Sequence, residues 1–125
     1  MRRHIVKFML AMYMNSTVWE RLDEETRGAI GKGAGEFVDS LRHSGELVCT
    51  YALGDSSKSK TVQAKDGAPA VIDGPHIVSD DFLCGFYVVE TKTKKRAYEL
   101  ASLMPEVTTP AFAIEVRPVM FEAVG

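Results

Sequence analysis

Apolar residues occur along the chain in short blocks, and the period of each block predicts a strand or a helix. Residues 4–13 have the alternation of a first strand. Both of its faces are largely apolar, with Phe8, Leu10 and Met12 on one side and Met9, Ala11 and Tyr13 on the other. We therefore expect each face of the sheet that contains this strand to be covered.

A helical pattern follows the turn or cap cluster Asn15-Ser16-Thr17 and reaches about His43, with a break expected near Asp23 or Gly28. Gly45 is the expected stop. One apolar stripe has helical spacing and consists of Ile30, Ala34, Phe37, Val38 and Leu41. His43, at the end of this helix, is placed to interact with the helix dipole.

Glycines interrupt the first half of this helix at positions 28, 31, 33 and 35. An interior glycine costs roughly 1 kcal/mol relative to alanine. Gly31 and Gly35 share a face, so they either allow the close approach of a backbone or a ligand, or belong to a weak half-helix that packs against a neighbour. Both interpretations stay open at this point.

The second half of the chain predicts a hairpin and two strands that flank a helix. The expected elements are a strand at residues 46–53, a hairpin of residues 61–64 and 70–72 around Lys65-Asp66-Gly67-Ala68, a strand at 83–90, a helix at 94–104 that Pro105 ends, and a strand at 111–119. The order predicts an α+β fold: a ferredoxin-like split βαβ with an inserted β-hairpin, whose antiparallel sheet has helices on one face. We expect a second subunit on the other face, which makes the protein a homodimer.

Composition narrows the functional class without naming it. The chain has 125 residues, 46% of them hydrophobic, which fits a single domain over residues 1–125. The formal net charge of -2 argues against nucleic acid as a partner. No signal peptide, membrane span or metal-ligand spacing is evident, and Cys49 and Cys84 suggest two free thiols in a reducing cytoplasm.

Four blocks together resemble the YCII-related family in its DGPF-domain branch: Lys7-Phe8-Met9-Leu10-Ala11-Met12-Tyr13, Asp73-Gly74-Pro75, Gly85-Phe86-Tyr87-Val88-Val89 and Glu115-Val116-Arg117-Pro118. The resemblance spans roughly residues 7–119 and implies a dimeric α+β barrel in which two ferredoxin-like sheets face each other. His76 stands where that family has Phe, and the segment after it is Ile77-Val78-Ser79-Asp80-Asp81-Phe82. In smaller YCII proteins, a His on the first helix pairs with an Asp and is suspected of catalysis. The comparable helix here reads Gly31-Lys32-Gly33-Ala34-Gly35 and contains no His, so that pair cannot be carried over.

His76 and Asp73 are the candidate catalytic residues. An imidazole exchanges protons near neutral pH, and one of the carboxylates of Asp73, Asp80 or Asp81 could orient its ring. The alternative is that Asp73 and Pro75 serve only as turn residues, with the carboxylate accepting local backbone N–H groups, and that His76 is an ordinary loop residue.

The candidate ligand-binding residues are Glu115, Arg117, Tyr13 and Tyr87. Glu115 and Arg117 share one face of the last strand, where the arginine could hold a ligand carboxylate or form a salt bridge. Tyr13 and Tyr87 are expected to line the same cleft.

Two functions remain open from the sequence, and whether the protein is an enzyme is undecided. The first is cofactor-free acid/base chemistry on a small molecule bound in a cleft, which rests on fold analogy. The second is a non-catalytic binding or regulatory module, since relatives in the DGPF branch are associated with extracytoplasmic-function sigma factors. That module would expose an apolar patch beyond the dimer interface.

Overall fold

A computed structural model describes residues 6–125 of the protein, so His4 and the start of the predicted first strand lie outside the described residues. The strands are β1 (Val6–Asn15), β2 (Leu47–Ala52), β3 (Lys60–Lys65), β4 (Ala68–Asp73), β5 (Asp81–Thr91) and β6 (Phe112–Pro118). The helices are α1 (Ser16–Arg21), α2 (Glu24–Ser44) and α3 (Lys94–Leu103), with short 3-10 helices at Ser56–Lys58 and Pro105–Thr108. None of the helices in this part of the chain is long and apolar enough to cross a membrane.

Four strands form one antiparallel sheet in the order β2-β5-β1-β6. The two central strands, β5 and β1, come from different halves of the chain, which is the arrangement of a split βαβ fold. Strands β3 and β4 pair with each other in a separate two-stranded sheet. The predicted α+β fold with an inserted hairpin is therefore confirmed.

The hydrophobic core lies between this sheet and helices α2 and α3. Phe8 and Leu10 of β1 pack there with Tyr87 and Val89 of β5. The helices and the turn after α3 contribute six further core residues: Phe37, Leu41, Ala97, Leu100, Ala101 and Met104. The alternation predicted for β1 is confirmed, because Phe8 and Leu10 are fully buried on the helix side while Met9 lies on the other side.

The long predicted helix is divided at Asp23 and not at Gly28. Asn15 caps α1, accepting the Val18 N–H at 3.0 Å, and Asp23 caps α2, accepting the Thr26 N–H at 2.7 Å. Gly45 ends α2 in the left-handed conformation with a φ of 78°. Each boundary thus follows from a short polar side chain or a glycine that satisfies helix-end backbone groups.

Only one of the helix glycines is held against a neighbour. A Cβ atom on Gly33 would lie 2.9 Å from Cβ of Pro105, whereas Gly31 and Gly35 have open space where their side chains would be. Within the described residues no backbone approaches the Gly31/Gly35 face, and the alternative of a half-helix that packs against a neighbour describes this part of α2. The close approach occurs at Gly33, because the 3-10 helix that begins at Pro105 packs onto α2 there.

The hairpin of β3 and β4, which we call the arm, turns at Asp66-Gly67. Both residues have positive φ angles, 52° and 81°, as a two-residue hairpin turn requires. Ser59 and Gly74 close the base of the arm through a Gly74 N–H to Ser59 O bond of 2.9 Å. Val62 and Val71 pair on one side of the arm and are 66% and 68% exposed.

Candidate functional site

The sheet face opposite the helices, which we call the open face, has no cover within residues 6–125. Strand pairing places Ala11 beside Phe86 and Glu115, and Met9 beside Val88 and Arg117, on this face. The open face comprises Lys7, Met9, Ala11, Tyr13, Cys49, Tyr51, Leu83, Phe86, Val88, Glu90, Ala113, Glu115 and Arg117. Its centre is apolar. Its edge at β6 and its end at Lys7 and Glu90 are charged, and Lys7 pairs there with Glu122.

A groove of about 470 Å³ lies at one end of the open face, between the sheet and the base of the arm. Ten residues line it: Tyr13, Leu53, Gly54, Ser56, Ser59, Pro75, Ile77, Asp81, Phe82 and Leu83. Its volume falls in the range of about 300–1,000 Å³ in which proteins bind small molecules. The strand ends and loops that form it come from four separate parts of the sequence.

Asp81, Tyr13 and two serines bring polar groups to a groove whose other lining residues are apolar. Asp81 Oδ1 accepts a hydrogen bond of 3.2 Å from the side-chain amide of Asn15. The other end of the Asn15 side chain is fixed, because its Oδ1 accepts the Val18 N–H. The residue that caps α1 therefore also orients a carboxylate at the groove.

The Asp73-Gly74-Pro75 turn closes the arm and contributes one residue to the groove. Asp73 Oδ1 accepts from Lys60 Nζ at 2.5 Å across the hairpin, in place of the local backbone N–H groups expected from the sequence. Gly74 has a φ of 93°, a conformation that favours glycine, and its carbonyl accepts from Thr61 Oγ1 at 2.8 Å. Pro75 then lies in the groove wall.

His76 lies next to Pro75 but is exposed and does not line the groove. Within residues 6–125 its ring makes no hydrogen bond or ion pair with Asp73, Asp80 or Asp81, because Asp73 pairs with Lys60 and Asp81 with Asn15. The expectation that a nearby carboxylate orients the ring is thus not met. No metal-binding group of three or more His, Cys, Asp or Glu side chains occurs in this part of the chain. A catalytic role for His76 and Asp73 stays a prediction.

Glu115 and Arg117 lie on the open face, as the alternation of β6 predicted. Arg117 donates to Glu115 Oε1 at 2.6 Å, and both side chains are about half exposed. The pair lies away from the groove lining. Of the two roles considered for this pair, the salt bridge is the one that the structure has. A ligand carboxylate would have to displace Glu115 before it could form two hydrogen bonds with the Arg117 guanidinium.

Tyr13 and Tyr87 lie on opposite faces of the sheet, so the expectation that they share a cleft is wrong. Tyr87 pairs with Leu10, is 5% exposed and packs edge-on against Phe37 with ring centroids 5.3 Å apart. Tyr13 pairs with Ala113 on the open face and lines the groove. A register shift in β5 between the partners of Met12 and Tyr13 separates the two halves of the strand.

A buried carboxyl was missed by the sequence analysis. Glu106, in the 3-10 helix after α3, is 4% exposed, and its Oε1 has no hydrogen-bond partner in the described chain. Burial raises the pKa of this carboxyl. Burial, together with the charge of Glu106, also raises the pKa of the Cys84 thiol to about 11. Glu106 directly follows Pro105, outside any helix or strand with a regular hydrophobic pattern, so the sequence does not indicate that it is buried.

A second hollow of about 450 Å³ lies at the start of β2 and the end of β5 and contains a tight ion pair. Arg96 donates to both carboxylate oxygens of Glu46, at 2.9 and 2.8 Å. The bidentate contact with Arg96 lowers the pKa of Glu46. This pair joins β2 to α3, and we assign it a structural role because its donors and acceptors already satisfy each other.

The comparison with known families agrees with this architecture. The model of the YCII-related domain matches residues 6–121. The chain belongs to the YCII-related family. The match runs from the start of β1 to beyond β6, so the YCII-related domain includes the arm, the groove and the open face. Among curated proteins none matches the chain, and membership of the DGPF-domain branch stays a prediction.

Proposed function

We propose that this YCII-related protein is a homodimer that binds a small organic molecule in the groove. The observation that carries the proposal is the position of the groove at the margin of an uncovered, largely apolar sheet face. A second copy placed on the open face would exclude water from the half-buried Phe86 and Val88 and from part of the groove. The homodimer and the binding site thus depend on the same surface.

The dimer is tested by light scattering at micromolar concentration with two matched variants. Val88→Lys places a charge on the open face, and Val107→Lys places one on the helix side of the molecule. We expect the wild type and Val107→Lys to be dimers and Val88→Lys to be a monomer. A monomeric wild type, or a dimer that Val88→Lys leaves intact, would contradict the proposed interface.

Small-molecule binding is tested with a fragment library that contains neutral, cationic and anionic compounds. Ser59→Trp fills the groove, and Ser102→Trp on the exposed side of α3 is the matched control. We expect fragments that bind the wild type to bind Ser102→Trp equally and to lose their binding to Ser59→Trp. Fragment binding that Ser59→Trp does not change would refute the groove as the site. Acid/base catalysis by His76 would add to this function, and His76→Ala tests it once a converted compound is found.

The arm favours a second candidate function, a protein-interaction module of the kind associated with sigma factors. Val62 and Val71 form an exposed apolar strip beyond the open face, and exposed apolar surface of this kind can take part in a protein–protein contact. Replacement of both valines by aspartate should then abolish co-purification of a protein partner while the dimer persists. An unchanged partner set would remove this alternative. The unpaired Cys49 and Cys84 support the proposed cytoplasmic location.

A further inference from the structure

We propose that the groove selects a ligand that carries an ammonium group on an aromatic or aliphatic body. The inference rests on the proposed function, because it names the chemical class that the groove binds. It differs from the expectation of a carboxylate ligand held by Arg117. The reasons are the charge of the groove wall, the geometry of Asp81 and the nature of the remaining lining.

Asp81 is the one charged residue among the ten that line the groove. Neither lysine nor arginine belongs to this lining. Of the cations on nearby elements, Lys60 is engaged by Asp73 across the arm and Arg117 by Glu115 on β6. Lys58 approaches the Cβ position of Gly54 to 3.7 Å through its Cδ atom but does not belong to the lining. A carboxylate ligand would therefore meet one negative charge and no positive charge in the groove, whereas an ammonium ligand would meet its counter-charge.

The Asp81 carboxylate is positioned but not neutralised. Its described hydrogen-bond donor, the Asn15 amide, is uncharged and contacts Oδ1, and Oδ2 has no partner within residues 6–125. The Val18 N–H fixes the Asn15 side chain from the other end. The backbone of Asp81 is also held, since its N–H donates to Ser79 Oγ at 3.1 Å. Such prior orientation reduces the entropy lost when a ligand binds.

The rest of the lining suits the body of an organic amine. Tyr13 supplies an aromatic ring and Phe82 a second one, and a cation near an aromatic face gains roughly 0.5–1 kcal/mol at exposed sites. Leu53, Ile77 and Leu83 provide apolar contacts. Hydroxyl groups of Ser56 and Ser59 can accept further N–H donors from the ammonium.

Three probes with the same phenylethyl body and different charge test the proposal: 2-phenylethylammonium, 2-phenylethanol and 3-phenylpropionate. Their affinities for the full chain are measured by NMR titration at pH 7 and low salt. We expect the ammonium to bind most tightly and the carboxylate most weakly. The advantage of the ammonium over the alcohol should shrink as salt is added, because ions screen a partly exposed charge pair.

Asp81→Asn and Asp80→Asn are the matched variants. Asp81→Asn keeps the shape and the acceptor for Asn15 but removes the charge, while Asp80 is a neighbouring carboxylate outside the groove lining. Asp81→Asn should weaken 2-phenylethylammonium about fivefold, the upper range for an exposed ion pair. It should leave 2-phenylethanol unchanged, which also shows that the groove is intact. Asp80→Asn should change none of the three affinities.

Each outcome decides one of the two proposals. Preferential binding of 3-phenylpropionate, or an equal loss of ammonium binding in both variants, would overturn the ammonium class while small-molecule binding in the groove stands. An Asp81→Asn variant that binds the ammonium as tightly as the wild type would do the same. If none of the probes or library fragments binds in a manner that Ser59→Trp blocks, the proposed function itself fails.

Discussion

Alanine substitutions along α2 test how the helix packs, because two of its glycines differ only in what lies beside them. Gly31 has open space at the position of a Cβ atom, whereas a Cβ on Gly33 would lie 2.9 Å from Cβ and 3.1 Å from Cγ of Pro105. Both residues are inside the same continuous helix. The intrinsic helical gain from alanine is therefore the same at the two sites, and the steric cost differs.

The expected free energies of unfolding follow from these two effects. Gly31→Ala should stabilise the protein by about 1 kcal/mol through helix propensity alone. Gly33→Ala gains the same amount but forces the rigid Pro105 ring to move, and overpacking of this kind costs about 1–3 kcal/mol. We expect the two variants to differ by about 2 kcal/mol, which for a chain of this length corresponds to about 8 °C in Tm.

Thermal unfolding followed by circular dichroism, at one fixed protein concentration, measures this difference. The concentration is held constant because a dimer has a concentration-dependent Tm. Gly35→Ala is a second control, since its site is also open, and it should behave like Gly31→Ala. A Gly33→Ala variant as stable as Gly31→Ala would refute the tight contact. A destabilising Gly31→Ala would show that another surface covers this side of α2.

Two further predictions concern Glu106 and Gly74. Burial raises the pKa of the Glu106 carboxyl in the folded state, so the folded protein binds this proton more tightly than the unfolded chain does. The free energy of unfolding should therefore fall as the pH rises from about 4.5 through the raised pKa. Glu106→Gln should remove this fall of the unfolding free energy with pH, as measured by urea titrations between pH 4 and 8. The Cys84 thiol, with its pKa raised to about 11, stays protonated over this range. The same pH dependence in the wild type and in Glu106→Gln would contradict the burial of the carboxyl. Gly74→Ala should lower the free energy of unfolding by about 1–2 kcal/mol, because a φ of 93° strains any side chain. Hydrogen exchange should show the loss of protection mainly at the base of the arm. Ala70→Gly, a control in the arm at a site without positive φ, should leave the protection of that base unchanged.

The fold could be predicted because each of its elements has a local signal. Alternation marks β1, the 3.6-residue stripe marks α2, and Asp66-Gly67 marks the arm. The sequence offers both Asp23 and Gly28 as the break in the long helix. Asp23 is the break because its side chain caps the next helix, a contact that a glycine cannot make.

The candidate site was predicted only in part, because it depends on strand register and on which charges pair. Gly85-Phe86-Tyr87-Val88-Val89 is apolar on both faces, so its sequence has no alternation from which the side of Tyr87 could be read. Nearness in sequence likewise did not predict the partners of Asp73 and Asp81, which pair with Lys60 and Asn15. The position of Asp81 at the groove depends on the pairing of Asp81 with Asn15 across β5 and β1. That strand register is set by tertiary structure and cannot be read from the sequence.

The closed base of the arm has a consequence for how members of this family can vary in length. The Ser59 carbonyl and the Gly74 amide are 2.9 Å apart, so the chain leaves and re-enters the domain at nearly the same point. A shorter or longer hairpin could therefore replace residues 60–73 without rethreading the four-stranded sheet. Because Ser59 and Pro75 stand on either side of this junction and also line the groove, such an exchange would reshape the ligand-facing wall while the domain beneath it stays the same.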